Sequence, residues 1–436
     1  MRVRLSHVCG LVVLLCAGLH APVPAEAQRV LLSPTPSAAT PQSTEAWDVG
    51  TATMLWRIPV GFGDRTAVLT SDGRYVLSRP AITDAAVLRV LDTDTRSFLD
   101  LVTDFSPAVA HPRDVAVFGL ASFQTLPSGY VAGDVARLDF SGLRTFNLCP
   151  SRTTRQIDLS ADGLSLLALC DSGTLVVADA TTGAVRRTVS LVAGGAGSRT
   201  MRATADGASV YVLAGTMDAP IERFDVTTGA LLETVPAPSF CVSAIAGGTF
   251  DRSRLFVYCR DYPGVPTNPT ARLFLFDPSA RRFDVVSGGS NPRIVGLSPD
   301  NATLHLGDFS FGRFGVPPRG VLLEKDMATA TTRWSVPFIG EAAITYAPLA
   351  PALGASVSGP RVDLSWTLPA HSPGATRFVL EIGSAPGLSN LGTIEAGAGS
   401  TFRATGVPAG TYFVRLRGVN YGGTGAASNE LRIDVP

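Results

Sequence analysis

An acidic residue that ends an apolar strand and opens a small-residue turn recurs along this chain at Asp48, Asp92, Asp139, Asp179, Asp225, Asp277 and, less regularly, Glu324. Successive members stand 44, 47, 40, 46, 52 and 47 residues apart, the interval at which a four-stranded antiparallel sheet repeats around a toroid. A second signature alternates with the first: Thr70-Ser71-Asp72-Gly73, Ser160-Ala161-Asp162-Gly163, Thr204-Ala205-Asp206-Gly207 and Ser298-Pro299-Asp300-Asn301. In such turns a carboxylate caps nearby amides and the following glycine supplies positive φ without steric cost. The repeated aspartates are therefore structural in the first instance. The apolar runs between turns are four to eight residues long and rich in Val, Leu, Ile, Phe and Tyr, which fits strands and not helices.

Outer hairpins fall at 47–60, 87–103, 134–148, 174–191, 221–237, 271–287 and 319–337, and inner hairpins at 66–80, 107–120, 155–171, 200–215, 243–260 and 294–308. One strand, Ala342-Ala343-Ile344-Thr345-Tyr346, is left over. The pattern predicts an all-β chain with a seven-bladed β-propeller over 47–347, or six blades if 47–60 is irregular. Residues 47–60 and 341–347 would complete one sheet and hide both edges. Residues 28–46, rich in Pro, Ser, Thr and Ala, read as a flexible leader.

The first 27 residues carry Arg2 and Arg4, the apolar run Cys9 to Leu19, and Ala25-Glu26-Ala27. That is the order of a secretory signal, with cleavage expected after Ala27 and a secreted or periplasmic location. Without it the chain keeps 34 basic and 35 acidic residues, a balance that points neither to nucleic acid nor to a polyanion. No later stretch is long and apolar enough to span a bilayer.

Cys149, Cys170, Cys241 and Cys259 remain, and four cysteines allow three pairings. Folding each segment at its turn brings Cys259 almost opposite Cys241, and Cys170 within a few residues of Cys149. The expected bridges are 149–170 and 241–259, each contributing about 3 kcal/mol in the loop-entropy picture. Neither CxxC nor a histidine cluster accompanies them, so a zinc site is disfavoured.

After the proline-spaced segment Ala347 to Leu353 the repeat stops. Residues 352–436 alternate apolar and polar in Arg361 to Trp366, Arg377 to Ile382 and Thr411 to Arg417, as strands with one buried face do. Trp366, the run Val407-Pro408-Ala409-Gly410-Thr411-Tyr412, and Val414 to Asn420 followed by Gly422, Gly423 and Gly425 resemble a fibronectin type III domain. The resemblance implies that Trp366 packs the core and that the Tyr412 hydroxyl bonds the chain just upstream. The larger region resembles WD40-like propellers of the bacterial YVTN-repeat kind, through Asp179-Ala180-Thr181-Thr182-Gly183 and Asp225-Val226-Thr227-Thr228-Gly229. Asp277 to Arg281 and Glu324 to Ala328 depart from that pattern, and the paired His and Trp-Asp marks of strict WD40 repeats are missing.

His111, His305 and His371 belong to different modules and form no triad or metal cage on this reading; Gly-x-Ser-x-Gly and a phosphate loop are absent. Second-strand exits gather on one face of a propeller, and here they carry Arg79, Asp171, Asp218, Arg260, Asp261 and Asp308, with Tyr262, Phe309, Phe311 and Phe314 nearby. Charges of both signs beside aromatic rings suit a polar ligand, a protein or a carbohydrate. The expectation is a non-catalytic binding protein with no cofactor, although Ca²⁺ or another divalent ion is compatible. The alternatives are a lactonase- or lyase-like propeller enzyme with acidic residues at the channel mouth, and an envelope scaffold.

Overall fold

The computed structural model describes residues 28–34, 43–48, 53–60, 67–79, 87–103, 105–125, 131–149, 154–171, 173–191, 199–238, 241–249, 251–261, 271–289, 292–310, 319–337, 340–369 and 372–436. Among these residues the chain is all-β. Four-stranded antiparallel units follow one another, here lettered in ring order. Unit A holds β1 (Gln28–Pro34), β2 (Thr44–Asp48) and β3 (Thr53–Ile58). Unit B holds β4 (Ala67–Leu69), β5 (Tyr75–Ser78), β6 (Val87–Asp92) and β7 (Ser97–Val102); unit C holds β8 (Phe105–Ala110), β9 (Val117–Thr125), β10 (Val131–Asp139) and β11 (Gly142–Phe146). Unit D holds β12 (Thr154–Leu159), β13 (Ser165–Cys170), β14 (Thr174–Asp179) and β15 (Val185–Ser190); unit E holds β16 (Arg199–Ala203), β17 (Ser209–Ala214), β18 (Ile221–Asp225) and β19 (Leu231–Val235). Unit F holds β20 (Cys241–Gly248), β21 (Leu255–Asp261), β22 (Ala271–Asp277) and β23 (Arg282–Gly289); unit G holds β24 (Pro292–Leu297), β25 (Thr303–Ser310), β26 (Arg319–Asp326) and β27 (Thr332–Pro337). The last ring strand, β28 (Gly340–Tyr346), returns to unit A, whose order is β28-β1-β2-β3.

The first strand of each unit lies against the first strand of the next, and the cycle closes from β24 through β28 to β4. A separate apolar core fills each junction between neighbouring units, as where Leu167, Leu169 and Leu175 of unit D meet Met201, Val210 and Phe224 of unit E. Repeated four-stranded sheets packed in this way fit a β-propeller.

Two expectations change at the seam. Gln28–Pro34, inside the expected leader, is a strand: Leu31 pairs with Ala343 on one side and Ala46 on the other and is buried with them. Burying such a leucine is worth about 2 kcal/mol, and β1 lies between β28 and the strands of 47–60. Glu324, in turn, is not the turn acid of unit G. That place belongs to Asp326, whose Oδ1 accepts from the amides of Ala328 and Thr329 at 2.9 and 3.0 Å, as Asp179 Oδ1 accepts from Thr181 and Thr182. Backbone amides and the Thr182 hydroxyl hold the Asp179 carboxyl down at about 2.

The inner turns form as their composition dictates. Thr70 Oγ1 donates to Asp72 Oδ1 at 2.7 Å, the Arg74 amide donates to the same oxygen at 3.0 Å, and Gly73 has φ +76°. Gly163 and Gly207 repeat this conformation, Asn301 adopts it at +60°, and in unit F the position is taken by Arg252 at +56°.

Residues beyond the ring form two antiparallel sheets, one of β29 (Ala352–Ser358), β30 (Arg361–Thr367) and β33 (Thr401–Ala404), the other of β31 (Arg377–Gly383), β32 (Gly392–Gly397), β34 (Gly410–Asn420), β35 (Gly423–Ala427) and β36 (Leu431–Val435). One core joins them, with Trp366 buried against Phe378, and the Tyr412 hydroxyl donates to the Pro408 carbonyl at 3.0 Å. The proline-spaced segment is tied down: Pro348 and Pro351 are buried, and the Leu349 amide donates to Ser372 Oγ at 2.9 Å. Asn420 Nδ2 donates to the Tyr346 and Gly374 carbonyls at 2.9 and 3.0 Å, and the Gly374 amide donates to the Ser71 carbonyl at 3.0 Å. The two-sheet part thus packs on the face of the ring that carries the Asp-Gly turns.

Candidate functional site

The second-strand exits lie on the opposite face. Arg79 follows β5 in unit B, half-buried, and Asp171 follows β13 in unit D, where Arg155 of β12 pairs with it. Asp218 follows β17 with φ +54°. Its neighbour Met217 bridges Val242 of β20, and Val242 stands opposite Arg260 of β21, so the chain positions of Asp218 and Arg260 fall at one corner of units E and F. Asp308 of β25 stands opposite Pro292 and packs on β23, where a Cβ at Gly289 would collide with its carboxylate. Tyr258 links these groups: burial raises its phenol, Arg260 and Arg293 lower it, and Asp308 raises it. The side chains of Asp261 and Phe309, and the whole of Tyr262, Phe311, Phe314 and His371, lie outside the described residues.

A cavity of about 160 Å³ opens at the other end of the channel, between the first strands of units C to F. Its wall includes Ala108 of β8, Gln156 and Asp158 of β12, Arg202 of β16, and Ala246 and Gly247 of β20. Apart from Gln156, these lie in the halves of their strands nearest the inner turns. Asp158 is buried and accepts from Arg202 Nη1 at 3.0 Å, the Ala203 amide at 2.9 Å and Arg252 Nη1 at 3.4 Å. Gln156 is locked to the Met201 backbone in both directions, at 2.8 and 3.3 Å. Burial lowers the Arg252 guanidinium to about 10, with Asp158 resisting the fall. The sequence reading did not include this group. Its available signal was Arg252 at a turn position that units B, D, E and G give to Gly or Asn.

The histidines sit in structural roles. His111 Nε2 donates to the Gly163 carbonyl at 3.1 Å, while Nδ1 accepts from the Arg113 and Asp114 amides at 3.2 and 2.8 Å; burial pushes its pKa down. His305 is fully buried, with Nε2 donating to Glu324 Oε2 at 3.0 Å and Nδ1 accepting from the Tyr346 hydroxyl at 3.0 Å. Trp334 Nε1 donates to the same Glu324 oxygen at 2.8 Å. Tyr, His and carboxylate in this order resemble a catalytic relay, but no solvent reaches His305, so the four side chains fasten β25, β26, β27 and β28 together. Among the described residues no three His, Cys, Asp or Glu side chains stand together as metal ligands, and no helix is long and apolar enough to cross a membrane.

Cys149 and Cys170 form a disulfide, both buried in the core between units C and D. Cys259 is also disulfide-bonded; the Cys241 side chain lies outside those described, although Ser243, two residues on, stands opposite Cys259.

No family model matches the chain, and no curated protein matches it. Among solved structures it is similar to a putative 6-phosphogluconolactonase from Bacteroides uniformis, at 13% identity and TM-score 0.48, over 74% of this chain and 100% of that one. It is similar to the β-propeller domain of Myceliophteria thermophila Cps50 (Swd1) at 14% identity and TM-score 0.42, over 66% and 88%. For dihydro-heme d1 dehydrogenase NirN the figures are 13% and 0.44, over 70% of this chain and 63% of that one. Likeness at this level carries no argument about activity, and the chemistry is argued from the residues alone.

Proposed function

We propose that the chain is a secreted or periplasmic, non-catalytic binding protein in which units A to G are the blades of a seven-bladed propeller. The second-strand face recognises a polar ligand, a carbohydrate or a protein, and the fibronectin type III-like part is a spacer or adhesive module. The observation that carries this reading is Tyr258 within electrostatic reach of Arg260, Arg293 and Asp308, since an aromatic ring among charges of both signs offers stacking and hydrogen bonding to one ligand. Two further observations support it. The fibronectin-like part packs on the other face, and Gln28, the first residue after the expected cleavage point, is the first residue of β1. The second bridge is 241–259.

The enzyme alternative asks for several carboxylates converging at the channel. Among the described residues the cavity wall offers Asp158, already held by two arginines, and no observation favours that reading or the scaffold over the binder.

Glycan and peptide arrays probed with the intact protein, then with Arg260→Ala/Arg293→Ala, test the proposal. Both side chains are exposed, so folding should be unaffected and binding to whichever probe scores should fall at least tenfold. Unchanged binding by the double variant removes the second-strand face from consideration.

A further inference from the structure

We propose that the cavity at the turn-side end of the channel binds a small carboxylate, held by Arg202 with Arg252 behind it. Three observations lead there, none of them involving the opposite face.

The first is charge. Arg202 and Arg252 both point their Nη1 atoms at Asp158, one on each carboxylate oxygen, so one anion faces two cations. Asp162 also acts on Arg252 from its own turn, where Ser160 Oγ and the Leu164 amide hold it. Burying a cation that shares its counter-ion is costly, and the Arg252 side chain is only 8% exposed. An incoming anion removes that cost.

The second is unspent hydrogen-bonding capacity. Among the described residues Arg202 gives one hydrogen bond to protein, from Nη1, and its Nε is buried without a partner. Nε is closed off beside Gly248, where an added Cβ would stand 3.4 Å from it, so Nη2 is the donor left for a carboxylate. Nε of Arg137 and Arg415 is likewise buried without a hydrogen-bond partner; what sets Arg202 apart is its place on the cavity wall with 24% of its side chain exposed.

The third is room. The cavity of about 160 Å³ is roughly ten times the space that one water requires, and its wall takes Ala108, Ala246 and Gly247 from strands that elsewhere present larger side chains. Ala246 is exposed, so the space communicates with solvent. Arg252 reaches the group only by adopting φ +56° where the repeat favours glycine, a conformation that costs about 1 kcal/mol or more for a residue with a Cβ.

Isothermal titration of the full chain with acetate and propionate, against acetamide and propionamide at constant ionic strength, tests the assignment. The acids are expected to bind at about millimolar strength and the amides at least tenfold more weakly. Arg202→Lys keeps a cation opposite Asp158 and so keeps the fold, but a single ammonium cannot hold Asp158 and offer a second nitrogen to the cavity; affinity for propionate should drop about tenfold. Arg260→Ala, on the other face, should leave propionate binding unchanged, so failure here and failure of the second-strand site are told apart. Acids and amides binding alike, Arg202→Lys binding propionate as the parent does, or phosphate outcompeting propionate would each overturn the carboxylate site.

Discussion

Two buried polar clusters bind neighbouring units of the ring to each other, one at the closing seam and one on the channel wall, and they are built in opposite ways. At the seam both nitrogens of His305 are paired, Glu324 Oε2 accepts two hydrogen bonds, and Tyr346 is fully enclosed. On the channel wall Asp158 is saturated but Arg202 is not, and a cavity lies beside it. A satisfied network with no adjoining space behaves as a rivet, whereas an unsatisfied cation next to space is what a ligand can complete. By residue type alone the first would pass for the active group, because Tyr, His and Glu look catalytic; burial removes that reading.

The contrast is tested most severely by removing the central acceptor of the seam. Glu324→Ala leaves His305 Nε2 and Trp334 Nε1 without an acceptor in a buried place, and urea unfolding should show a loss of about 4 kcal/mol. A loss under 1 kcal/mol would mean that the seam is not a rivet. Arg202→Lys on the channel wall should instead cost less than about 1 kcal/mol while altering anion binding.

Next in size is the disulfide between units C and D. It closes a loop of 21 residues in sequence separation, and Cys149→Ala/Cys170→Ala should lower stability by about 3 kcal/mol. Because the bridge lies in neither cluster, propionate binding should survive its removal; loss of binding would show that the channel wall depends on the C–D junction.

Asn420 joins the seam to the two-sheet part through the Tyr346 carbonyl, and it also accepts from the Gly422 amide at 2.8 Å. Asn420→Ala should cost about 2 kcal/mol and expose residues 347–351 to limited proteolysis. Cleavage no faster than in the parent would show that the two parts are held by other contacts.

Acid and alkali should separate the clusters with smaller effects. Burial raises the Glu324 carboxyl, but hydrogen bonds from His305 and Trp334 and the charge of Arg333 leave it below 4.5. Its folded value is depressed, so its contribution is present above pH 4.5 and fades as pH falls through the folded value. Tyr346 is opposite: burial raises its phenol well above 10, so its contribution is present below pH 10 and is lost as pH rises past it. Stability measured against pH should fall at both ends, and Tyr346→Phe should make the alkaline limb shallower, Tyr75, Tyr211, Tyr258 and Tyr421 being raised as well, while leaving the acid limb as it was. An alkaline limb of unchanged depth in that variant would detach Tyr346 from the seam.

Local chemistry made much of the fold legible. Asp72, Asp162, Asp206 and Asp300 each cap the amide two residues on, and a turn that satisfies itself within five residues leaves its mark in the sequence. The strand Gln28–Pro34 was hidden because its partner Gly340–Tyr346 lies some three hundred residues away, and the polar, proline-bearing segment after it argues for a loose tail. Glu324 was mistaken for the turn acid because Asp326 follows two residues later, in the same register on the strand. The channel cluster was illegible for a related reason: Asp158, Arg202 and Arg252 come from three units, and only the ring makes them neighbours. Arg252 in a glycine position was the trace they left.

Closure of the ring by β28 and β1 underlies both clusters, and hydrogen exchange followed by mass spectrometry reads it without mutation. Peptides covering 28–34 and 340–346 should be protected together, to the degree seen in the central strands of units D and E. Complete exchange of 28–34 at the earliest labelling time, with 340–346 still protected, would show that the first strand is not in the sheet and that the wheel is open.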